Sequence, residues 1–122
     1  MDISHDELVA RLEDPALTIL DVRSSAEFSG EAGYACDARQ GHIPGACHLD
    51  VQELASCADA DGVRSLVALP VGTEIVAYCH SGSRSAWAVE ILLDAGYTAR
   101  NYVGSWHAWS HSVPPSPAES QG

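Results

Sequence analysis

The most informative stretch of this sequence reads Glu74-Ile75-Val76-Ala77-Tyr78-Cys79-His80-Ser81-Gly82-Ser83-Arg84-Ser85. Its first half, from Ile75 to Tyr78, is apolar and rich in β-branched residues, which predicts a buried strand. The residues from Arg84 to Ala95 contain neither proline nor glycine and predict a helix. Cys79 is therefore expected where a strand passes into a helix.

A cysteine in that position is expected to be reactive. The first turn of a helix offers unpaired N–H groups and the positive end of the helix dipole, and both stabilise an anion such as a thiolate. The pKa of a free cysteine, near 8.5, falls when the residue lies at a helix N-terminus. Gly82 lets the loop turn inward, and the hydroxyls of Ser81, Ser83 and Ser85 add donors. We expect a cradle of polar groups around the Cys79 sulfur.

Several motifs in order along the chain resemble a known family. The loop Cys-x-Ser-Gly-x-Arg-Ser at Cys79 is similar to the active-site loop of rhodanese-type sulfurtransferases. Leu20-Asp21-Val22-Arg23 with Glu27-Phe28 resembles the first motif of that family, and Gly41-His42-Ile43-Pro44-Gly45-Ala46 the second. Gly96-Tyr97, Tyr102 to Trp106 and Trp109 resemble its closing segment. The resemblance covers about Ile3 to Ser110.

The resemblance implies a fold, a chemistry and a set of site residues. The fold would be α/β, a rhodanese-like three-layer α/β/α arrangement with a roughly five-stranded, mainly parallel sheet and the active loop at its carboxyl edge. The Cys79 thiolate would take sulfane sulfur from a small donor such as thiosulfate and pass it to cyanide or a thiol, including a protein thiol. No cofactor is implied. The loop that binds substrate and persulfide would be His80, Ser81, Gly82, Ser83, Arg84 and Ser85.

The chain departs from the two-domain members of that family at two positions. The thiosulfate and mercaptopyruvate enzymes that resemble it carry an arginine where this chain has Glu27, and the thiosulfate type a lysine where it has Ser81. An anionic donor would be held less firmly without those cations. Thiosulfate is therefore expected to serve as a weak assay substrate.

Two other functions remain open from the residues alone. Cysteine phosphatases and arsenate reductases also hold a tetrahedral oxyanion with a cysteine, a loop of amides and an arginine, but they place five residues between Cys and Arg. Here only the four residues 80–83 separate Cys79 from Arg84, which argues against a phosphatase. A non-enzymatic persulfide carrier or regulatory docking module would use the same sulfur chemistry.

Charged residues near the predicted site have structural as well as functional interpretations. Asp21 and Arg23, at the end of a predicted strand from Leu17 to Val22, are expected to form an internal ion pair that supports the loop. Arg84 would either pair with the acids of that strand edge or face an anionic substrate. His80 is expected to point away from the sulfur, and His42 to be a hydrogen-bonded structural residue.

The composition excludes several function classes. The net charge is −11, and all six basic residues are arginines, so we expect neither nucleic acid nor a membrane as a partner. No apolar stretch approaches a membrane span, and the first residues lack the pattern of a signal peptide, which predicts a cytoplasmic protein. Cys36, Cys47 and Cys57 are expected to be small, buried free thiols. The Cys and His spacings predict no metal site.

Local signals predict the remaining elements. Ser4-x-x-Glu7 and Ser24-x-x-Glu27 are capping boxes that open short helices. Residues 29–40 predict a loop, residues 46–49 a short strand, and Asp50 the start of another helix. A strand at 99–103 and a last helical turn with core residues Trp106 and Trp109 follow. Residues 1–112 would form one domain, and 113–122 a mobile tail.

Overall fold

A computed structural model of the protein describes residues 2–112, so the predicted C-terminal tail lies outside the described residues. Helices and strands alternate through most of this range, as expected for an α/β fold. The helices are α1 (His5–Ala10), α2 (Ser25–Ser29), α3 (Val51–Ala55), α4 (Ala60–Val67), α5 (Ser83–Asp94) and α6 (Ser105–Ser110). The strands are β1 (Leu17–Asp21), β2 (Cys47–His48), β3 (Glu74–Tyr78) and β4 (Thr98–Asn101).

The strands form one parallel sheet in the order β2-β1-β3-β4. This arrangement confirms the predicted fold class but gives four strands in the described part of the chain, where about five were expected. Beside β4, Asp2 makes only an isolated parallel bridge to Asn101. Helix α1 is capped by Ser4 immediately afterwards, so this segment ends before it can become a fifth strand.

Helices cover both faces of the sheet, as the three-layer architecture requires. Successive residues of β3 point to opposite sides. Ile75 and Ala77 join one buried cluster with residues of α3, α4 and α5. Val76 and Tyr78 join the other cluster, which includes residues of α1 and α6. Both predicted core tryptophans, Trp106 and Trp109, are buried in this second cluster.

Capping explains where the short helices begin. The Ser24–Glu27 capping box is complete, with both the serine and the glutamate side chains bonded to the backbone. At α1 only half of the predicted box forms, because the Ser4 hydroxyl accepts from Glu7 N while the Glu7 carboxylate pairs with Arg100. Helix α4 begins after Asp59, whose side chain accepts a hydrogen bond from Gly62 N.

The segment between α2 and β2 is the long loop that the sequence predicted. Its described residues form no helix or strand from Gly30 to Ala46. The loop is fastened to α6, because Trp106 Nε1 donates to Arg39 O across 3.0 Å and an Arg39 amino group donates to Trp109 O across 3.1 Å. None of the helices in residues 2–112 has the length and apolar character needed to cross a membrane.

Candidate active site

Cys79 lies between β3 and α5, at the carboxyl edge of the sheet, and is fully buried. Gly82 N donates to the Cys79 sulfur across 3.1 Å. The hydroxyl of Ser85 lies 3.4 Å from the same atom, and that of Ser105 lies 4.0 Å away. The sulfur therefore lies among hydrogen-bond donors at the start of a twelve-residue helix, where the helix dipole also favours negative charge.

These contacts shift the ionisation of Cys79. Burial opposes formation of the thiolate, but hydrogen bonds from the Ser85 hydroxyl and from the amides of Ser85, Gly82 and Ser81 outweigh it, so the pKa of the Cys79 thiol lies below its usual value. A lowered pKa gives a larger fraction of the nucleophilic thiolate at neutral pH. The arrangement thus suits a cysteine that attacks an electrophile.

Gly82 is required by the backbone at this point. It caps α5 with a φ of 101°, in the left-handed region that side chains other than glycine rarely adopt. A Cβ added there would lie 2.7 Å from Val103 O. The inward turn of the loop, which aims Gly82 N at the sulfur, therefore depends on the absence of a side chain.

Asn101, which the sequence did not single out, supports the loop from the end of β4. Its Oδ1 accepts from the Ser85 hydroxyl across 2.6 Å, and its Nδ2 donates to Gly82 O across 3.1 Å. The Ser85 hydroxyl has a single hydrogen, so it can donate to only one of its three acceptors at a time: Asn101 Oδ1, Gly82 O at 3.2 Å or the Cys79 sulfur. Asn101 Oδ1 is the nearer acceptor, and a negatively charged sulfur would compete with it more strongly than a neutral thiol.

Ser105 also escaped the sequence analysis, although it belongs to the closing motif. Its hydroxyl accepts from Cys79 N across 3.1 Å, and the next amide, Trp106 N, donates to Cys79 O across 2.9 Å. Ser105 has a φ of 54°, which is strained for a serine and persists because these bonds hold it. The start of α6 therefore fixes the backbone of Cys79 through both its N–H and its C=O group.

Arg84 faces a carboxylate, although a different one from the expected strand-edge acids. Its guanidinium donates two hydrogen bonds, of 2.9 and 3.0 Å, to the two carboxylate oxygens of Glu27 in α2. Burial opposes ionisation of Glu27, but Arg84 and Ser24 outweigh it and lower the pKa of Glu27 to about 2. The positive charge of the loop is therefore neutralised by an internal partner.

Asp21, the acid at the end of β1, forms an ion pair with Arg23. Arg23 Nη2 lies 2.7 Å from Asp21 Oδ2, and both side chains are almost completely buried. Arg23 also donates to Gly41 O across 2.6 Å. The expected internal ion pair therefore forms, and it joins the end of β1 to the start of the Gly41–Ala46 turn.

The other predicted loop residues point away from the sulfur. Ser81 and Ser83 are exposed, and among the described residues the hydroxyls that contact Cys79 are those of Ser85 and Ser105. Of the two exposed serines, Ser81 contributes its backbone amide. His80 turns its ring to Asp37, with Nε2 2.9 Å from Oδ1.

Two further expectations concern side chains around the site. His42 is a structural residue as predicted, with Nδ1 2.8 Å from Phe28 O and its ring stacked on Phe28.

The expectation that the other cysteines are buried is wrong: Cys36 and Cys47 are exposed and Cys57 is half-buried. Cys36 lies in the long loop, outside the sheet, and Cys47 lies on β2, the edge strand of the sheet.

The fold also gathers residues that are far apart in the sequence. Ligand atoms of Cys36, Asp37, His80 and His107 lie within 4.8 Å of one another. They come from the long loop, the Cys79 loop and α6. No closely spaced Cys and His pair in the sequence signals this cluster, because tertiary folding alone brings its members together.

Comparison with known proteins gives one consistent result. The sequence model of the Rhodanese-like domain matches residues 4–112. A putative thiosulfate sulfurtransferase of Haloferax volcanii is 39% identical over 86% of this chain and 42% of its own length. A human thiosulfate:glutathione sulfurtransferase is 30% identical over 88% of this chain and 90% of its own.

A solved structure agrees with these sequence matches. A crystal structure of a probable thiosulfate sulfurtransferase superimposes with a TM-score of 0.76 at 39% identity, over 88% of this chain and 44% of the other. The chain thus spans less than half the length of the Haloferax relative and of this structure, and nearly the whole length of the human relative.

Proposed function

Since this chain belongs to the rhodanese-like domain family, we propose that it is a sulfurtransferase in which Cys79 carries sulfane sulfur as a persulfide. The observation that supports this most strongly is the 3.1 Å hydrogen bond from Gly82 N to the Cys79 sulfur. A donor aimed at that atom stabilises a thiolate before the reaction and a persulfide anion after it.

The proposed reaction has two steps, and each conserves charge and atoms. In the first, the Cys79 thiolate attacks the outer sulfur of thiosulfate, the S–S bond of thiosulfate breaks, and sulfite leaves with the electron pair. The enzyme then holds a persulfide anion. In the second, cyanide or a thiolate attacks the outer sulfur of that persulfide, which regenerates the Cys79 thiolate and releases thiocyanate or a new persulfide.

Each loop residue has a distinct role in this proposal. Gly82 supplies an amide and the inward turn, while Ser85 supplies a hydroxyl that can move between Asn101 and the sulfur. Ser105 holds the Cys79 amide. Because Cys79 is buried, a donor reaches the sulfur only when neighbouring side chains move aside.

The pairing of Arg84 with Glu27 bears on the choice of donor. An arginine already bound to a carboxylate by two hydrogen bonds attracts an oxyanion weakly. We therefore propose that thiosulfate works slowly and that a less charged persulfide is a better donor. As acceptor we propose a low-molecular-weight thiol such as glutathione, or a protein thiol, since the human relative is named for thiosulfate and glutathione.

The same pairing argues against the phosphatase alternative. A cysteine phosphatase needs its loop arginine to hold the phosphoryl oxygens, whereas Arg84 is occupied by Glu27. A persulfide carrier remains the second candidate, because it would use the same sulfur cradle with a protein as acceptor.

Steady-state sulfur transfer from thiosulfate to cyanide, followed as thiocyanate, tests the proposal. The wild type should produce thiocyanate and Cys79→Ser should not, while Cys47→Ser should retain the activity because that exposed thiol lies outside the site. An equally active Cys79→Ser protein would exclude the proposed nucleophile.

A further inference from the structure

A second group of reactive side chains lies directly beside the proposed nucleophile. Asp37 Oδ1 is 2.9 Å from His80 Nε2 and 3.0 Å from His107 Nδ1, and Cys36 Sγ is 3.9 Å from the same His80 nitrogen. The mechanism proposed for sulfur transfer uses none of these four side chains. They converge on one point from three separate segments of the chain.

The environment of Asp37 is unusual. Its side chain is 1% exposed, and both histidine nitrogens face one of its oxygens, Oδ1. The other oxygen, Oδ2, is buried and has no hydrogen-bond partner among the described residues. Buried carboxylate oxygens are normally satisfied by a donor or a cation, because an unpaired one costs free energy. A donor or a cation bound beside Asp37 would satisfy this oxygen, so the carboxylate has spare capacity for a ligand at the cluster.

The four ligand atoms match the requirements of a tetrahedral transition metal. Bonds of about 2.0–2.3 Å to nitrogen, oxygen and sulfur separate the atoms of a tetrahedral set by about 3.3–3.8 Å. Three of the six separations are 2.9, 3.0 and 3.9 Å, just outside this range, and all six are no longer than 4.8 Å. Side-chain shifts alone would therefore bring the four atoms to tetrahedral separations around one ion.

The ligand chemistry selects the kind of ion. Two imidazoles, a thiolate and a carboxylate form a mixed nitrogen, sulfur and oxygen set, which suits Zn²⁺ and disfavours Mg²⁺ and Ca²⁺ because those ions prefer oxygen ligands. We infer that Cys36, Asp37, His80 and His107 form a Zn²⁺ site. Cys36 loses its thiol proton to solvent when the ion binds, and each histidine coordinates through its unprotonated nitrogen.

The position of the site gives the ion a structural consequence. Cys36 and Asp37 belong to the long loop and His107 to α6, while His80 is the residue after Cys79. A bound Zn²⁺ would join all three segments and hold the loop against the residue that follows the nucleophile. Solvent reaches the site through the exposed Cys36 and through His107, whose side chain is 46% exposed.

Metal binding is best measured in a Cys79→Ser background, so that neither the proposed nucleophile nor its activity enters the result. Calorimetric titration with Zn²⁺ should give one ion per chain. Co²⁺ in its place should produce a thiolate-to-metal charge-transfer band in the near ultraviolet. This readout stands even if the proposed sulfur transfer is wrong.

Two substitutions and one control decide the inference. Cys36→Ser should remove the charge-transfer band, and both Cys36→Ser and His107→Ala should weaken Zn²⁺ binding at least about tenfold, a loss seen even for outer-shell partners. Cys47→Ser removes another exposed thiol and should change neither the charge-transfer band nor the affinity for Zn²⁺. Circular dichroism should show that the variants are folded. If Zn²⁺ does not bind, or binds equally well after Cys36→Ser or His107→Ala, the inference is wrong.

Discussion

Arg84 at the start of α5 and Glu27 in α2 hold each other through two hydrogen bonds of 2.9 and 3.0 Å. Glu27 and Arg84 lie 57 positions apart in the sequence, and their pair connects the Cys79 loop to α2, the helix that follows β1. The Glu27 side chain is 12% exposed and that of Arg84 is 31% exposed, so solvent screens this pair only in part. The pair is thus expected to stabilise the loop as well as to neutralise it.

Glu27→Gln should lower the free energy of unfolding by about 1–2 kcal/mol at neutral pH, because it replaces a charged acceptor beside Arg84. The pKa of Glu27 is about 2 in the folded protein, below its usual 4.5, so its stabilisation is present above about pH 4.5 and disappears as the pH falls toward 2. Urea unfolding at several pH values should therefore show the two proteins converging in acid. Glu90→Gln, at an exposed position on α5, is the control, and a constant difference down to pH 3 would contradict this account.

Gly82→Ala should destabilise the protein and abolish sulfur transfer. Alanine at a positive φ costs about 1–2 kcal/mol, and the new Cβ would lie 2.7 Å from Val103 O. Gly45→Ala is the matched control, since its φ is 80° and a Cβ there would meet nothing within 4 Å. In urea unfolding, the free energy of unfolding of Gly82→Ala should be at least about 1 kcal/mol lower than that of Gly45→Ala. Equal free energies of unfolding would show that the close approach to Val103 is unimportant.

Ser85→Ala should make Cys79 less acidic. The Ser85 hydroxyl is among the donors that lower the pKa of the Cys79 thiol, so its removal raises that pKa and reduces the thiolate fraction at neutral pH. Alkylation of Cys79 by iodoacetamide, followed by mass spectrometry across pH, should slow several-fold near pH 7 and recover at higher pH. Ser83→Ala removes an exposed hydroxyl and should leave the profile unchanged. An unaltered profile in Ser85→Ala would assign the stabilisation to the amides alone.

The unmodified protein should not hydrolyse aryl phosphates in a Cys79-dependent way. The loop has four residues between Cys79 and Arg84, and the arginine is bound to Glu27. Insertion of one residue between Gly82 and Arg84 should weaken sulfur transfer and widen the cradle for a phosphate-sized group. Hydrolysis of p-nitrophenyl phosphate, followed as release of p-nitrophenol, measures the phosphatase activity of the unmodified protein. A robust rate that Cys79→Ser abolishes would favour the phosphatase class.

The sequence predicted the layers and the nucleophile loop because those depend on local patterns. Apolar runs fixed β1 and β3, the capping serine fixed α2, and Gly82 marked the turn at Cys79. The partners of the loop depend on long-range contacts, so the pairing of Arg84 with Glu27 could not be read from local spacing.

Tertiary contacts account for the residues that the sequence analysis missed. Asn101 and Ser105 reach the site from β4 and α6, on the far side of α5 in the chain. Cys36 belongs to a loop without periodicity, and only folding brings it near His80. The expected fifth strand does not form among the described residues, since beside β4 the chain makes only the single bridge between Asp2 and Asn101.

Loading of sulfur onto Cys79 is the central claim, and intact-protein mass spectrometry tests it directly. After incubation with thiosulfate, or with a low-molecular-weight persulfide, and desalting, the protein should be heavier by one sulfur atom, and peptide mapping should place that atom on Cys79. Cyanide should remove it, and a comparison with glutathione and a protein thiol as acceptors separates an enzyme from a dedicated carrier. A protein with Cys36, Cys47 and Cys57 all changed to serine should still load. If no sulfur is found on Cys79 with any donor, or if it is found on another cysteine, the proposed function is contradicted.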